Sequence, residues 1–115
     1  MSRRTLLIAL NTTCSQCAES VRLVHKLTAP NANQTYGDIR VLLLFPNDES
    51  DVSTYLKQYD LASEAHAVID LRSHHINVVP TMILVDDKGV IKDFRTALLS
   101  PMEAADFLNV LEKSK

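Results

Sequence analysis

Two continuous apolar runs, "TLLIAL" (residues 5–10) and "IRVLLLF" (39–45), with one helical segment between them, constrain this chain more than any other feature. An apolar run without helical spacing is the mark of a strand buried on both faces, so Arg4 to Asn11 reads as a first strand and 39–45 as a second. Between them, Thr13 to Gln16 match a T-x-x-Q capping box, and a helix is expected to run from there to about Thr28. Ala18, Val21, Val24 and Leu27 would form its buried stripe, and Pro30 with the polar "NANQTYGD" would mark its exit. Strand, long crossover and strand imply a parallel pair joined in the right-handed sense.

The rest of the chain continues the alternation. "PNDESDVSTYLKQY" opens with acidic and capping residues and spaces Val52, Tyr55, Leu56 and Tyr59 as one face of a second long helix. "AHAVID" reads as a short strand and "LRSHH" as a helical turn. "TMILVDDKGVIKDF" carries two antiparallel strands about a "DDKG" turn, whose glycine suits a left-handed position. Ser100, Pro101 and Glu103 form an S-x-x-E capping box with proline at the first helical position. Met102, Ala105, Phe107, Leu108 and Leu111 then recur at helical spacing.

At 115 residues, one domain spanning 1–115 is expected, large enough for a core without disulfide staples. A net charge of -2 with no like-charge block excludes an electrostatic footprint for nucleic acid. The start "MSRRTLLIAL" has twin arginines ahead of an apolar run, yet only Leu6 to Leu10 are apolar, short of a secretory core, and no small-residue cleavage site follows. A first strand is the better reading, no later segment approaches membrane-spanning length, and a cytoplasmic chain is expected unless this is a trimmed piece of an exported or anchored protein.

The sequence holds two cysteines, Cys14 and Cys17, which argues against a disulfide-rich scaffold. They form a C-x-x-C directly after the first strand. Further along, "VVPT" (78–81) stands immediately ahead of "MILVDDKGVI". The order of strand, cysteine pair, helix, strand, helix, proline, hairpin and closing helix resembles the thioredoxin fold over nearly the whole chain. "LLLFPNDESDVSTYLKQY", "VIDLRSHHINVVPT" and "LVDDKGVI" resemble its redoxin branch, whose members include thiol-disulfide reductases of the bacterial cell envelope. The resemblance implies an α/β, thioredoxin-like domain with a central mixed sheet of four to five strands flanked by helices. It also implies a cis Pro80 packed against the cysteines, with Val79 and Thr13 beside it as substrate-binding positions. No cofactor is implied beyond a redox-active Cys14–Cys17 disulfide. The partners would be protein disulfide or dithiol clients and a further redox partner, met by a monomer, in the cytoplasm or, for a trimmed chain, the periplasm or cell envelope.

Chemistry agrees with that placement. A thiol attacks as thiolate, and a helix N-terminus stabilises a thiolate through unpaired N–H groups and the helix dipole. Cys14, expected at the first helical position, is assigned as nucleophile, and Cys17, one turn on and nearer the core, as the resolving thiol. The chain departs from the family in three places. Thr13 stands where a tryptophan is usual, Ile8 where thioredoxin has a buried aspartate, and Ser15-Gln16 where Gly-Pro is common. Glu19 is a candidate to replace the aspartate through water, against its plainer reading as an exposed acid near a helix start.

Rival readings follow from the same residues. "TCSQCAESV" also resembles the loop and helix of ferredoxin-like copper chaperones, where two thiolates suit Cu(I). Thr12 replaces the usual methionine, however, and the chain is too long for that fold. A thioredoxin-like binding module with a permanent disulfide is the other alternative. Zinc is disfavoured because His25, His66, His74 and His75 lack ligand spacing to the cysteines. Haem attachment fails at Ala18, and Asn11 disfavours peroxidase chemistry. Tyr55 and Tyr59 are expected at the core or its edge.

Overall fold

A computed structural model describes residues 3–96 and 100–115; of the stretch weighed above as a leader, Met1 and Ser2 lie outside the described residues. The chain runs β1 (Arg4–Ala9), α1 (Ala18–Leu27), α2 (Ala32–Tyr36), β2 (Ile39–Phe45), α3 (Glu49–Gln58), β3 (Ala65–Val68), a 3-10 turn (Arg72–His74), β4 (Thr81–Val85), β5 (Ile91–Thr96) and α4 (Pro101–Lys113). The five strands form one mixed sheet in the order β3-β2-β1-β4-β5. β1, β2 and β3 are parallel, whereas β4 runs antiparallel to both β1 and β5.

The pleat sorts the two apolar runs. Leu6 pairs with Val41 and Leu84, and Ile8 with Leu43 and Met82, so these side chains share one face. With Phe45 and the apolar stripes of α1, α3 and α4 they form the main core, in which Leu6, Ile8, Leu43 and Phe45 are fully buried. Each such side chain contributes roughly 1.5 to 3 kcal/mol relative to exposure. Ala9 and Leu44 belong to the opposite face, where the loop residues Leu71 and Ile76 cover them and leave Leu7, Leu42 and Ile83 half-buried. The two long runs are thus strands, but strands with one deep face and one shallow one.

The helix stripes differ in detail from the periodic expectation. In α1 the buried residues are Ser20, Val21, Leu23, Val24 and Leu27, while Ala18 is exposed. α3 buries Val52, Tyr55 and Leu56, with Tyr55 edge-on to Phe45, and Tyr59 closes the helix half-exposed. Phe107, Leu108 and Leu111 anchor α4, whereas Met102 is 82% exposed and Ala105 lies on the solvent face. In α3 and α4 the stripe is narrower than the spacing allows, whereas α1 loses Ala18 and gains Ser20 and Leu23.

α2 stands where a loop was expected. It buries no residue, and it is held by what reaches its carbonyl end: Arg4 donates to the Tyr36 carbonyl, and Lys115 Nζ to those of Gln34 and Thr35 at 3.3 and 3.0 Å. Gly37 follows at φ +79°, and a Cβ there would come within 3.0 Å of Lys115 Cβ. The capping box of α4 is present in both directions, Glu103 N–H to Ser100 Oγ and Ser100 N–H to Glu103 Oε1. In the β4–β5 hairpin, Asp86 Oδ1 accepts the Lys88 and Val90 N–H groups at 2.8 and 2.9 Å, and Gly89 takes φ +83°.

Candidate active site

β1 delivers the chain to the C-terminal end of its parallel neighbours, and the first ten residues beyond it build the site. Leu10 N–H bonds the Leu44 carbonyl at 2.8 Å, which carries the β1–β2 pairing one step past the strand. Asn11 then takes over: its Oδ1 accepts Thr13 N–H at 3.0 Å and the Thr13 hydroxyl at 2.8 Å, and its carbonyl accepts Cys14 N–H at 3.0 Å. This side-chain-closed turn corrects the expected capping box. With its hydroxyl and N–H both committed to Asn11, Thr13 caps nothing, and α1 starts at Ala18 with Cys17 as N-cap. Cys14 is therefore in the turn before the helix and not its first residue.

Cys14 and Cys17 form a disulfide, with Cα atoms 5.6 Å apart. The bond ties the Cys14 sulfur to the side chain of the α1 N-cap residue, which makes no capping hydrogen bond of its own. The two sulfur-bearing residues differ in environment. Cys17 is 1% exposed and belongs to the main core, whereas Cys14 is half-buried and packs on the edge of that core. Glu19, in the first turn of α1, is spoken for by Arg22 at 2.7 Å.

The proline segment arrives at the same end of the sheet. Because β4 is antiparallel to β1 with Thr81 opposite Ala9, the residues just before Thr81 lie beside those just after Ala9. The Val79–Pro80 peptide is cis, Pro80 is buried, and Val79 is half-buried against Ala9, Leu44, Leu71 and Ile76. Thr81, itself buried, donates its hydroxyl to the Val78 carbonyl.

Two recesses flank the cysteine loop. One, of about 320 Å³, is lined by Asn11, Pro46, Asp70, Leu71, Arg72, Ile76, Asn77 and Val79. The other, of about 310 Å³, is lined by Thr12, Thr13, Asp51, Thr54, Tyr55 and Gln58. The structure brings Val79 and Pro80 to the cysteine end of the sheet, but Thr13 opens onto the second recess and shares none with Val79. In that second recess burial pushes the Tyr55 phenol up, with neighbouring Tyr59 adding to the effect.

Three residues of the site escaped the sequence reading. Asn11 and Asn47 join the cysteine loop to the β2–α3 loop, Asn47 Oδ1 accepting Thr12 N–H at 3.0 Å. Asparagine directly after a buried strand is a turn signal that could have marked Asn11; nothing local marks Asn47. Ser20 is fully buried on α1, and its Oγ has no hydrogen-bond partner among the described residues.

Among the described residues, no group of three or more His, Cys, Asp or Glu side chains is placed to hold a metal ion, and no helix is long and apolar enough to cross a membrane. Parallel β1, β2 and β3 also rule out the ferredoxin-like arrangement.

No family model and no curated protein matches this chain. Solved structures do. StoA from Bacillus subtilis is 15% identical with a TM-score of 0.72, over 93% of this chain and 81% of that one. A secreted disulfide oxidoreductase from Mycobacterium tuberculosis is 12% identical, TM-score 0.72, over 94% of this chain and 79% of that one. The thioredoxin domain of a thiol-disulfide oxidoreductase from Bacteroides vulgatus is 18% identical, TM-score 0.71, over 96% and 79%.

Proposed function

On this thioredoxin-like fold, we propose that the chain is a thiol-disulfide oxidoreductase that exchanges disulfides with protein clients, Cys14 acting as nucleophile and Cys17 as resolving thiol. One observation carries the reading: the two sulfurs of a C-x-x-C are already bonded to each other, the first half-buried and the second in the core, at a helix N-terminus. The names of the similar structures support it.

In the reducing direction, the Cys14 thiolate attacks a client disulfide, one client sulfur leaves and takes a proton, and a mixed disulfide remains. Cys17 then gives up its proton and attacks Cys14 Sγ. The Cys14–client bond breaks, the Cys14–Cys17 bond forms, and the second client thiolate takes up a proton. A further dithiol partner returns the pair to its reduced state. Val79 and Pro80 bind the client: Pro80 offers no N–H, so an extended client segment pairs with the Val79 backbone. Thr13 borders the client on the other side of the nucleophile. The chain works as a monomeric single domain.

Equilibration with a glutathione redox series tests this. An exchange-active pair titrates between oxidised and reduced forms at a measurable midpoint. A bridge that stays oxidised across the series, or a reduced chain that binds Cu(I) with both thiols and does not exchange, overturns the proposal.

A further inference from the structure

Ser20 is the only buried side-chain polar atom among the described residues that lacks a hydrogen-bond partner. Leaving a hydroxyl dry and unpaired costs about 1 to 3 kcal/mol, and native structures rarely tolerate it without a reason. Its position supplies one. Ser20 follows Cys17 by three residues, and the Val21 N–H to Cys17 carbonyl bond of 3.1 Å closes the first turn of α1 over that interval, so Cys17 and Ser20 fall on the same face. Both are at most 1% exposed. In the disulfide, the Cys17 sulfur carries no proton and no charge and is a weak acceptor. Reduction changes that, because Cys17 becomes a thiol and, as it attacks, a thiolate.

We infer that Ser20 is the positioning residue for Cys17, its hydroxyl turning to the Cys17 sulfur in the reduced state and donating to the thiolate as the resolving attack proceeds. This rests on the exchange reading above. Ser20 takes no proton; the proton leaving Cys17 balances the one gained by the departing client thiolate, and Ser20 holds the anionic sulfur between those events. A charge-assisted hydrogen bond in a dry site is stronger than a neutral one in water, and the other buried hydroxyl at this end of the sheet, Thr81 Oγ1, is committed to the Val78 carbonyl. The core cluster around Cys17 contains, besides the cysteines, two titratable groups, Tyr55 and half-buried Tyr36. On α1, Glu19 pairs with Arg22, and His25 and Lys26 are exposed. On the elements packed against α1, Arg40 of β2 and Glu103, Asp106, Glu112 and Lys113 of α4 are all exposed, and α2 carries no charge. Arg4 lies at the opposite end of β1, bonded to Ser114 and Tyr36. Ser20 thus offers a buried, uncommitted hydroxyl one turn into the helix from Cys17.

Ser20→Ala separates this role from a packing role, since alanine is smaller and a better helix former. Two readouts are required. In the full chain, Ser20→Ala should shift the glutathione equilibrium about tenfold toward the disulfide while the oxidised form loses no thermal stability. In a Cys14→Ser background, ultraviolet thiolate absorbance against pH, taken as the difference from a Cys14→Ser/Cys17→Ser double variant that carries the same tyrosines, reports Cys17 alone, and Ser20→Ala should reduce its thiolate fraction at a given pH about tenfold. Equal changes in oxidised and reduced stability, with the Cys17 ionisation profile unmoved, would overturn the inference and leave Ser20 as a structural residue. If the wild-type pair fails to exchange at all, the proposed activity falls, and the Cys14→Ser comparison still decides whether Ser20 serves Cys17.

Discussion

Asn11 and Asn47 hold each other across the two loops that frame the cysteine pair. Asn47 Nδ2 donates to Asn11 Oδ1 at 3.3 Å, and Asn47 Oδ1 accepts the Thr12 N–H at 3.0 Å. Asn11 Oδ1 also closes the Thr13 turn, so one side-chain oxygen fixes the approach to Cys14 from two directions. The cysteine loop is positioned by long-range amide bonds as much as by the helix that follows.

Asn47→Ala removes both bonds and leaves the part-buried Thr12 N–H unpaired. The expected loss is about 1 to 2 kcal/mol in urea unfolding, accompanied by slower exchange with glutathione, because the nucleophile is no longer held in one place. Unchanged exchange kinetics would show that the loop keeps its shape without the clamp.

Cys17→Ser leaves the nucleophile without its resolving partner. Incubated with a disulfide-bonded peptide, this variant should accumulate a mixed disulfide through Cys14, visible by mass spectrometry under non-reducing conditions, while Cys14→Ser should form little. The reverse distribution would assign the attacking role to Cys17, against its 1% exposure.

Asp86 makes the hairpin sensitive to acid. Its carboxyl is held below the ordinary range chiefly by the Val90 N–H, against desolvation, and further by the Lys88 N–H and by Lys92, whose Nζ is 3.7 Å away. A carboxyl depressed in the folded state stabilises it above the unfolded value of about 3.9, and that contribution is lost as the pH falls through the lower native value. Asp86→Ala should therefore lower stability at neutral pH and lose that handicap in strong acid. Urea midpoints of both proteins measured across the acid range check the sign; a gap that persists unchanged into acid would mean that the carboxylate's charge is irrelevant.

The architecture was legible where one physical pattern dominates a segment. The second strand has the bounds that "IRVLLLF" suggests, and the α4 start follows from serine, proline and glutamate acting within one turn. α2 was not legible, since cations from residues 4 and 115 satisfy its last carbonyls, and no local window contains them. The helix start at the cysteines misled for the opposite reason. Thr13 and Gln16 satisfy the pattern of a cap, but Asn11, two residues upstream, offers Thr13 a closer partner. At the site, the cysteine pair and the Val79–Pro80 segment could be named from the sequence, whereas the Asn47 clamp depends on a pairing across 36 positions and the Ser20 orphan on burial.

β1, which precedes the other four described strands in the chain, lies at the centre of the sheet, between β2 and β4. A ribosome that has not yet released Thr81 to Val85 holds a nascent sheet in which Thr5 to Ala9 bond on one side and present an open, largely apolar edge on the other. Synthesis of the middle third of the chain is thus an interval of adhesiveness, and any truncated product ending before the hairpin keeps that sticky border for good.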